Sequence, residues 1–359
     1  MTEDAIKASL LSELVGRLHP YVPGEQPQGE RLIKLNTNES PYGPSEAVID
    51  AIRDAADDRL RLYPDPSATG LRQSIADYYD VPIDHVFVGN GSDEVLAFAF
   101  AAFFQQPKPL LYPSVSYSFY PVYCNLYDIN AETIDLRDDM SLSLDDYDRP
   151  NGGIIFPNPN APTSRAVPIS DIEALLKKNT ESVVLVDEAY VDFGADSAIP
   201  LIKQYPNLVV TQTFSKSRSL AGMRVGLAVA HPALITALES VRDSFNSYPV
   251  DTLAQAAATA AMKDTTWFDQ SIARVISTRE NTATSLVKAG FEVQPSKANF
   301  LLVSHPQIPG KTLLDHLRSD GIIVRHWDKP GLSPYIRVSI GTDEDMQAFL
   351  QSLQTLVAA

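Results

Sequence analysis

The chain has 359 residues, with 45 acidic against 29 basic side chains and a formal net charge of −16. That balance argues against nucleic acid and anionic membrane surfaces as partners. A hydrophobic content of 44% with 21% charged residues is that of a globular protein, large enough for one large domain and a smaller one.

The one cysteine, Cys124, leaves no intrachain disulfide and no thiolate metal cluster, so no metal is expected. No basic-then-apolar leader and no apolar run of membrane-spanning length occur, which predicts a cytoplasmic protein.

Residues 1–30 predict a short helix over 6–14 and then a Pro- and Gly-rich arm around Tyr21, which has no core of its own and must lie on another surface. An extended polar segment over 35–43, with Asn36 and Asn38, is pinned by Pro41 and Pro44. A helix over 46–56 leads to Tyr63, before Pro64, where plain packing would account for a tyrosine.

Val86-Phe87-Val88, then Gly89-Asn90-Gly91-Ser92-Asp93-Glu94, then an apolar run read as strand, turn and helix. The glycines allow close backbone approach and the helix start offers unpaired N–H groups to an anion; Ser92 or Asp93 could equally be an ordinary cap. Another short strand precedes Tyr112 to Tyr117, inside a tyrosine-rich run. The strand 154–156 ends in Pro157-Asn158-Pro159-Asn160-Ala161-Pro162-Thr163-Ser164.

Val183-Val184-Leu185-Val186 reads as a strand buried on both faces of a parallel sheet, and it delivers Asp187, Glu188 and Tyr190. A carboxylate at such a strand end is costly unless it meets a cation, and a protonated pyridine nitrogen is one such cation. Asp187 is the choice for that role, with Glu188 structural or solvent-facing.

The apolar run 208–210 then leads into Thr213-Phe-Ser-Lys-Ser-Arg-Ser-Leu-Ala-Gly-Met-Arg-Val-Gly226, with Lys216 at the strand's mouth. Ser215, Ser217, Arg218, Ser219, Gly222 and Arg224 are the residue types that hold a phosphate close to the backbone. A partly desolvated lysine among cations is freed as a nucleophile for a carbonyl. An aldehyde cofactor that carries a phosphate satisfies both conditions.

The large domain closes with a crossover over 245–250. A small domain follows: an alanine-rich helix over 252–262, a long amphipathic helix over 267–289, strands over 300–303, 322–324 and 336–340, a helix over 311–318, and a last helix capped near Thr342. Arg337 stands among β-branched strand residues, where a cation needs either a salt bridge or a ligand.

Ser-Lys-Ser-x-Ser-Leu-Ala-Gly-Met-Arg-x-Gly resembles the cofactor-lysine segment of fold type I pyridoxal-phosphate aminotransferases, and more narrowly of histidinol-phosphate aminotransferases, and the similarity runs over nearly the whole chain. The resemblance implies that Gly91, Ser92, Asp93, Tyr63, Ser215 and Arg224 cup the cofactor phosphate, with Tyr63 reaching in from a partner subunit and Thr213 also binding the cofactor. Tyr117 would stack on the ring and Tyr190 would donate to its phenolate. Ala161 departs from the family's Asn-Pro-x-Asn-Pro-Thr-Gly loop, which leaves Asn160 as the substitute donor, and Ser164 replaces the loop's glycine. Asn38 would line the substrate side, Arg325 and Arg337 would bind its anionic groups, and Tyr21 would come from the partner.

The expectation is therefore an α/β protein of fold type I, with a mostly parallel central sheet in its large domain and a smaller α+β C-terminal domain: an arm over 1–30, a pyridoxal 5'-phosphate domain over 31–248 and a small domain over 249–359. Lys216, Asp187 and Tyr190 would carry the catalysis of an aminotransferase acting on histidinol phosphate and 2-oxoglutarate in histidine biosynthesis, as a homodimer with shared active sites. An aromatic or other amino-acid aminotransferase and a phosphothreonine-type decarboxylase would keep every cofactor residue. A cofactor-binding regulatory domain would need a DNA-binding module, and the N-terminal arm is too short and too acidic for one.

Overall fold

The computed structural model describes residues 10–22, 24–26 and 32–358. Most of the helix expected over 6–14 lies outside them; the described part holds a single short helix, Glu13–Arg17.

Seven strands form the large sheet: β2 (Val86–Gly89), β3 (Leu110–Pro113), β4 (Ala131–Ile134), β5 (Gly153–Pro157), β6 (Val184–Asp187), β7 (Leu208–Thr213) and β8 (Gly226–Ala230), with β1 (Ile33–Lys34) outside it. Their order is β2-β8-β7-β6-β5-β3-β4, and every pair is parallel except the two that β8 makes with β2 and β7. Consecutive residues of one strand enter different cores. Val184 and Val186 join one cluster while Leu185 joins the other, and Val86, Phe87 and Val88 alternate in the same way. Because strand side chains alternate between faces, a sheet covered on both sides needs apolar residues at every position. This is why 183–186 is a continuous valine and leucine run.

A second, antiparallel sheet of order β12-β13-β10-β9 builds the C-terminal body from β9 (Glu292–Val293), β10 (Phe300–Ser304), β12 (Arg325–His326) and β13 (Ile336–Ser339). Helices Thr265–Lys288 and Gly310–Ser319 pack on it, and helix Asp343–Ala358 packs on those two. The last begins with a reciprocal cap, in which the Asp345 amide donates to Thr342 Oγ1 at 3.2 Å and the Thr342 amide to Asp345 Oδ2 at 3.0 Å.

Two segments pack apart from the neighbours expected for them. β1 pairs in parallel with β11 (Ile322–Ile323), and Leu35 sits in the core of the C-terminal body. The alanine-rich helix Thr252–Lys263 packs on helices Glu46–Ala55 and Thr69–Tyr79, and its Ala254, Ala257, Ala258 and Ala261 belong to the core under the large sheet. Its small side chains give three helices close contact, a property that sequence periodicity does not assign to either domain.

Candidate active site

The carboxyl ends of β2, β3, β5, β6 and β7, with the start of antiparallel β8, meet at one edge of the large sheet. That is where an open parallel sheet leaves room for a ligand. Two chambers lie there and join at Lys216. An inner one of about 170 Å³ is lined by Ser92, Asp93, Tyr117, Asp187, Tyr190, Thr213, Ser215, Lys216 and Arg224. An outer one of about 480 Å³ carries Tyr21, Asn38, Arg325 and Arg337, with Tyr117, Ala161, Tyr190 and Lys216 shared between the two.

At one end of the inner chamber, helix Gly91–Phe103 starts without a side-chain cap. Neither Ser92 nor Asp93 caps it, so no side chain closes off its first-turn amides, and both residues line the chamber. Gly91 has φ +81°, and a Cβ there would lie 2.5 Å from Arg224 Nη2. A Cβ on Gly226 would stand 2.3 Å from the Ser92 amide nitrogen. Both glycines are thus needed for the helix start, Arg224 and β8 to crowd together. Arg224 donates to Asp93 Oδ2 at 3.2 Å and reaches Ser215 Oγ at 3.4 Å, while Tyr117 donates to Asp93 Oδ1 at 2.7 Å. Arg218 turns the other way: it donates to the Ala261 carbonyl at 2.7 Å and lies 3.7 Å over the Phe268 ring. Ser217 donates to Asp192 at 2.5 Å. Of the cations and hydroxyls flanking Lys216 in sequence, only some therefore face the chamber.

The other end holds Asp187, buried, with its carboxyl pushed up to about 6, chiefly by burial. Tyr120 donates to its Oδ2 at 3.0 Å, and Thr211 Oγ1 lies 3.4 Å from its Oδ1. Strand alternation sends Glu188 to the opposite face. There it is buried rather than solvent-facing, accepting from the Ala198 amide and Ser197 Oγ at 2.6 Å each and from Gln212 Nε2 at 2.9 Å. Lys216 Nζ donates to the Thr37 carbonyl at 3.0 Å and lies 5.9 Å from the Tyr190 ring centre. Tyr190 in turn accepts from Asn38 Nδ2 at 3.1 Å.

In the outer chamber, Arg337 donates to the Asn36 carbonyl at 2.8 Å, but its buried Nε has no partner. Its guanidinium lies 5.2 Å from the Phe300 ring and 5.3 Å from Trp327, and Arg325 lies 5.7 Å from the same Trp327 ring. Among the described residues neither arginine has a carboxylate within ion-pair distance. Burial pulls the Arg337 guanidinium below its ordinary value, with Arg325 adding to the effect and Tyr190 opposing it. Two cations facing one cleft without counter-charges are suited to an anionic ligand.

Three expected residues are placed elsewhere. Asn160 is buried outside both chambers, and its amide donates to the Val115 carbonyl and Thr163 Oγ1, each at 3.0 Å. Ala161 lines the chamber instead, so the loop supplies no amide donor there. Tyr63 is 80% exposed, stacked on Tyr248 at 4.6 Å, and belongs to neither chamber of its own chain. Tyr21, expected from a partner, lines the outer chamber of its own chain and packs 4.9 Å from the Phe119 ring. Sequence reading missed Tyr120 and Trp327. The first hides in a tyrosine-rich run, and the second follows Arg325 by two residues.

A family model described as aminotransferase class I and II matches residues 30–353. The chain belongs to this family. The class I and II aminotransferase chain is 55% identical over 345 residues, 96% of its length and 98% of the other, to a histidinol-phosphate aminotransferase of Chromohalobacter salexigens. It is 54% identical, over 96% of its length and 99% of the other, to one of Pseudomonas syringae pv. syringae. The histidinol-phosphate aminotransferase of Sinorhizobium meliloti, solved in complex with pyridoxal-5'-phosphate, shares the aminotransferase fold at a TM-score of 0.87, with 24% identity over 98% of both chains. An L-threonine-O-3-phosphate decarboxylase of Porphyromonas gingivalis also shares it, at 0.78 and 23% identity, over 91% of this chain and all of that one. The fold alone therefore does not separate transamination from decarboxylation.

Proposed function

We propose that the protein is a pyridoxal 5'-phosphate-dependent aminotransferase that exchanges the amino group of histidinol phosphate with 2-oxoglutarate, in histidine biosynthesis in the cytoplasm. The observation that carries the reading is the join of the two chambers at Lys216, with phosphate-type groups and a buried carboxylate at opposite ends of the inner one and, in the outer one, two arginines without an ion-pair partner among the described residues. The residues fit the cofactor. The uncapped helix start, Thr213, Ser215 and Arg224 would hold its phosphate, Asp187 its ring nitrogen, and Tyr117 a ring face. With Asn160 turned away, Tyr190 would be the donor to its phenolate.

Bound there, the cofactor supplies an electron-withdrawing ring that stabilises negative charge on the substrate's amino-bearing carbon. The chain's residues do the rest. Lys216 Nζ would accept the proton from that carbon as general base and return it as general acid. Asp187, as a carboxylate, keeps the ring nitrogen protonated. Arg325 and Arg337 orient the substrate by its phosphate or by the second carboxylate of 2-oxoglutarate.

The 53–55% identity to curated histidinol-phosphate aminotransferases supports this donor over aromatic amino acids. We place the division between the bodies after helix Thr252–Lys263 and count the segment carrying β1 with the C-terminal body. The active unit in this reading is a homodimer, with Tyr63 acting across the interface. The test is a rapid-mixing panel of histidinol phosphate, histidinol, phenylalanine, glutamate and phosphothreonine that follows loss of the visible cofactor band, with carbon dioxide release measured alongside. Histidinol phosphate and glutamate are expected to react; a preference for phenylalanine, or release of carbon dioxide from phosphothreonine, would overturn the reading.

A further inference from the structure

The ring end of the inner chamber depends on a residue that lines neither chamber. Tyr120, at the start of helix Tyr120–Tyr127, is fully buried. Its hydroxyl gives Asp187 the shorter of that carboxylate's two side-chain hydrogen bonds, 3.0 Å against 3.4 Å from Thr211. Its ring stands edge-on to Tyr117 at 5.7 Å and 89°, and is itself held by Phe100 and Tyr112, each at 6.0 Å. One side chain thus touches both residues expected to grip the cofactor ring, by its edge and by its face.

The geometry points to Tyr120 as a positioning residue that holds Asp187 ionised and aimed into the chamber through its hydroxyl, and braces Tyr117 through its ring. The inference rests on the inner chamber being the cofactor site. Desolvation favours the neutral form of a buried carboxyl, and a hydroxyl that donates to the ionised oxygen opposes it. Burial also pushes the Tyr120 phenol well up, so it stays a neutral donor. The other groups facing Asp187 are Asp93, whose charge disfavours ionisation, the Ala189 amide and Thr211, which favour it, and the neutral phenols Tyr117 and Tyr123. Lys216 and Arg224 stand across the chamber. Thr211 Oγ1 is the other side-chain donor to Asp187, and it reaches the opposite carboxylate oxygen, Oδ1.

Tyr120→Phe keeps the ring and removes one oxygen. In the full-length, cofactor-loaded protein, the acid limb of kcat/KM and the pH titration of the visible band are both expected to move up by about one pH unit. The loss is then roughly tenfold on the acid side and closes toward wild type as the pH rises. Thr211→Val, which removes the longer bond, is expected to move both by less. Should Tyr120→Phe fail to fold, the Thr211→Val titration decides: a movement of a full unit shows that the 3.4 Å bond was the controlling one. A limb and a band that stay put in Tyr120→Phe, or a loss that is uniform in pH, would overturn the inference and leave Tyr120 a packing residue. A wild-type protein that takes up no pyridoxal phosphate would fail the cofactor reading instead, a result visible before any variant is made.

Discussion

Asp187 and Glu188 are neighbours in sequence and face opposite sides of the sheet, so the same kind of substitution has different consequences at each. Asp187→Ala removes the carboxylate from the chamber and is expected to lower kcat/KM roughly a hundred- to thousandfold, with the fold retained. Glu188→Gln puts a second donor against Gln212 Nε2, whose amide is already committed through Oε1 to the Tyr79 hydroxyl. It is expected to cost about 1–3 kcal/mol of stability and to leave kcat near wild type. The opposite ranking would mean that Glu188 is the cofactor carboxylate. Burial pushes Glu188 up to about 7 from an ordinary 4.5. The fold therefore holds its proton more tightly than the unfolded chain does, and its contribution to stability falls as pH rises from about 4.5 to about 7. Thermal unfolding across that window is expected to show the wild-type advantage over Glu188→Gln shrinking with rising pH; a widening gap would contradict the assignment. The valine run announced a doubly buried strand, and with it a carboxylate in need of a partner. It could not announce what seals the other face, because Ser197 and Gln212 come from other elements.

At the scale of elements, the strand–turn–helix unit after β2 and the glycine closing the lysine segment are two halves of one device. Gly226→Ala would drive a Cβ into the Ser92 amide, so the helix start or β8 must shift. Affinity for pyridoxal phosphate is expected to fall at least tenfold, measured by equilibrium dialysis, while Gly222→Ala, where a Cβ meets nothing within 4 Å, leaves it unchanged. Equal losses in both variants would remove the crowding argument. The order of strands and helices was legible because apolar runs, glycine turns and caps are local signals. Ser164 shows a local signal that needed geometry: its φ of +62° is the reason a glycine suits that loop position. Asn160 and the alanine-rich helix pack apart from the neighbours expected for them because burial against distant segments, rather than local pattern, decides where they go. Tyr120 escaped notice among four other tyrosines between 112 and 127 for the same reason.

For the whole molecule, exposed Leu60, Leu62, Tyr63, Phe245 and Tyr248 suit a two-fold interface, whereas Tyr21 already lines its own chain's cleft. Subunit exchange separates the two. Mixing Tyr63→Ala with Lys216→Ala is expected to restore about a quarter of wild-type activity, since half the dimers are mixed and each has one intact site. Mixing Tyr21→Ala with Lys216→Ala is expected to restore none. Recovery in the second pair alone would reverse both placements.

Lys216, at the join of the two chambers, is the lysine proposed to carry the cofactor. Reduction of the loaded protein with borohydride, followed by peptide mapping by mass spectrometry, reads that bond directly. A single peptide bearing the cofactor's mass on Lys216, absent in Lys216→Ala, is the predicted result. The mass on Lys34 or Lys329, or on no lysine at all, would contradict it.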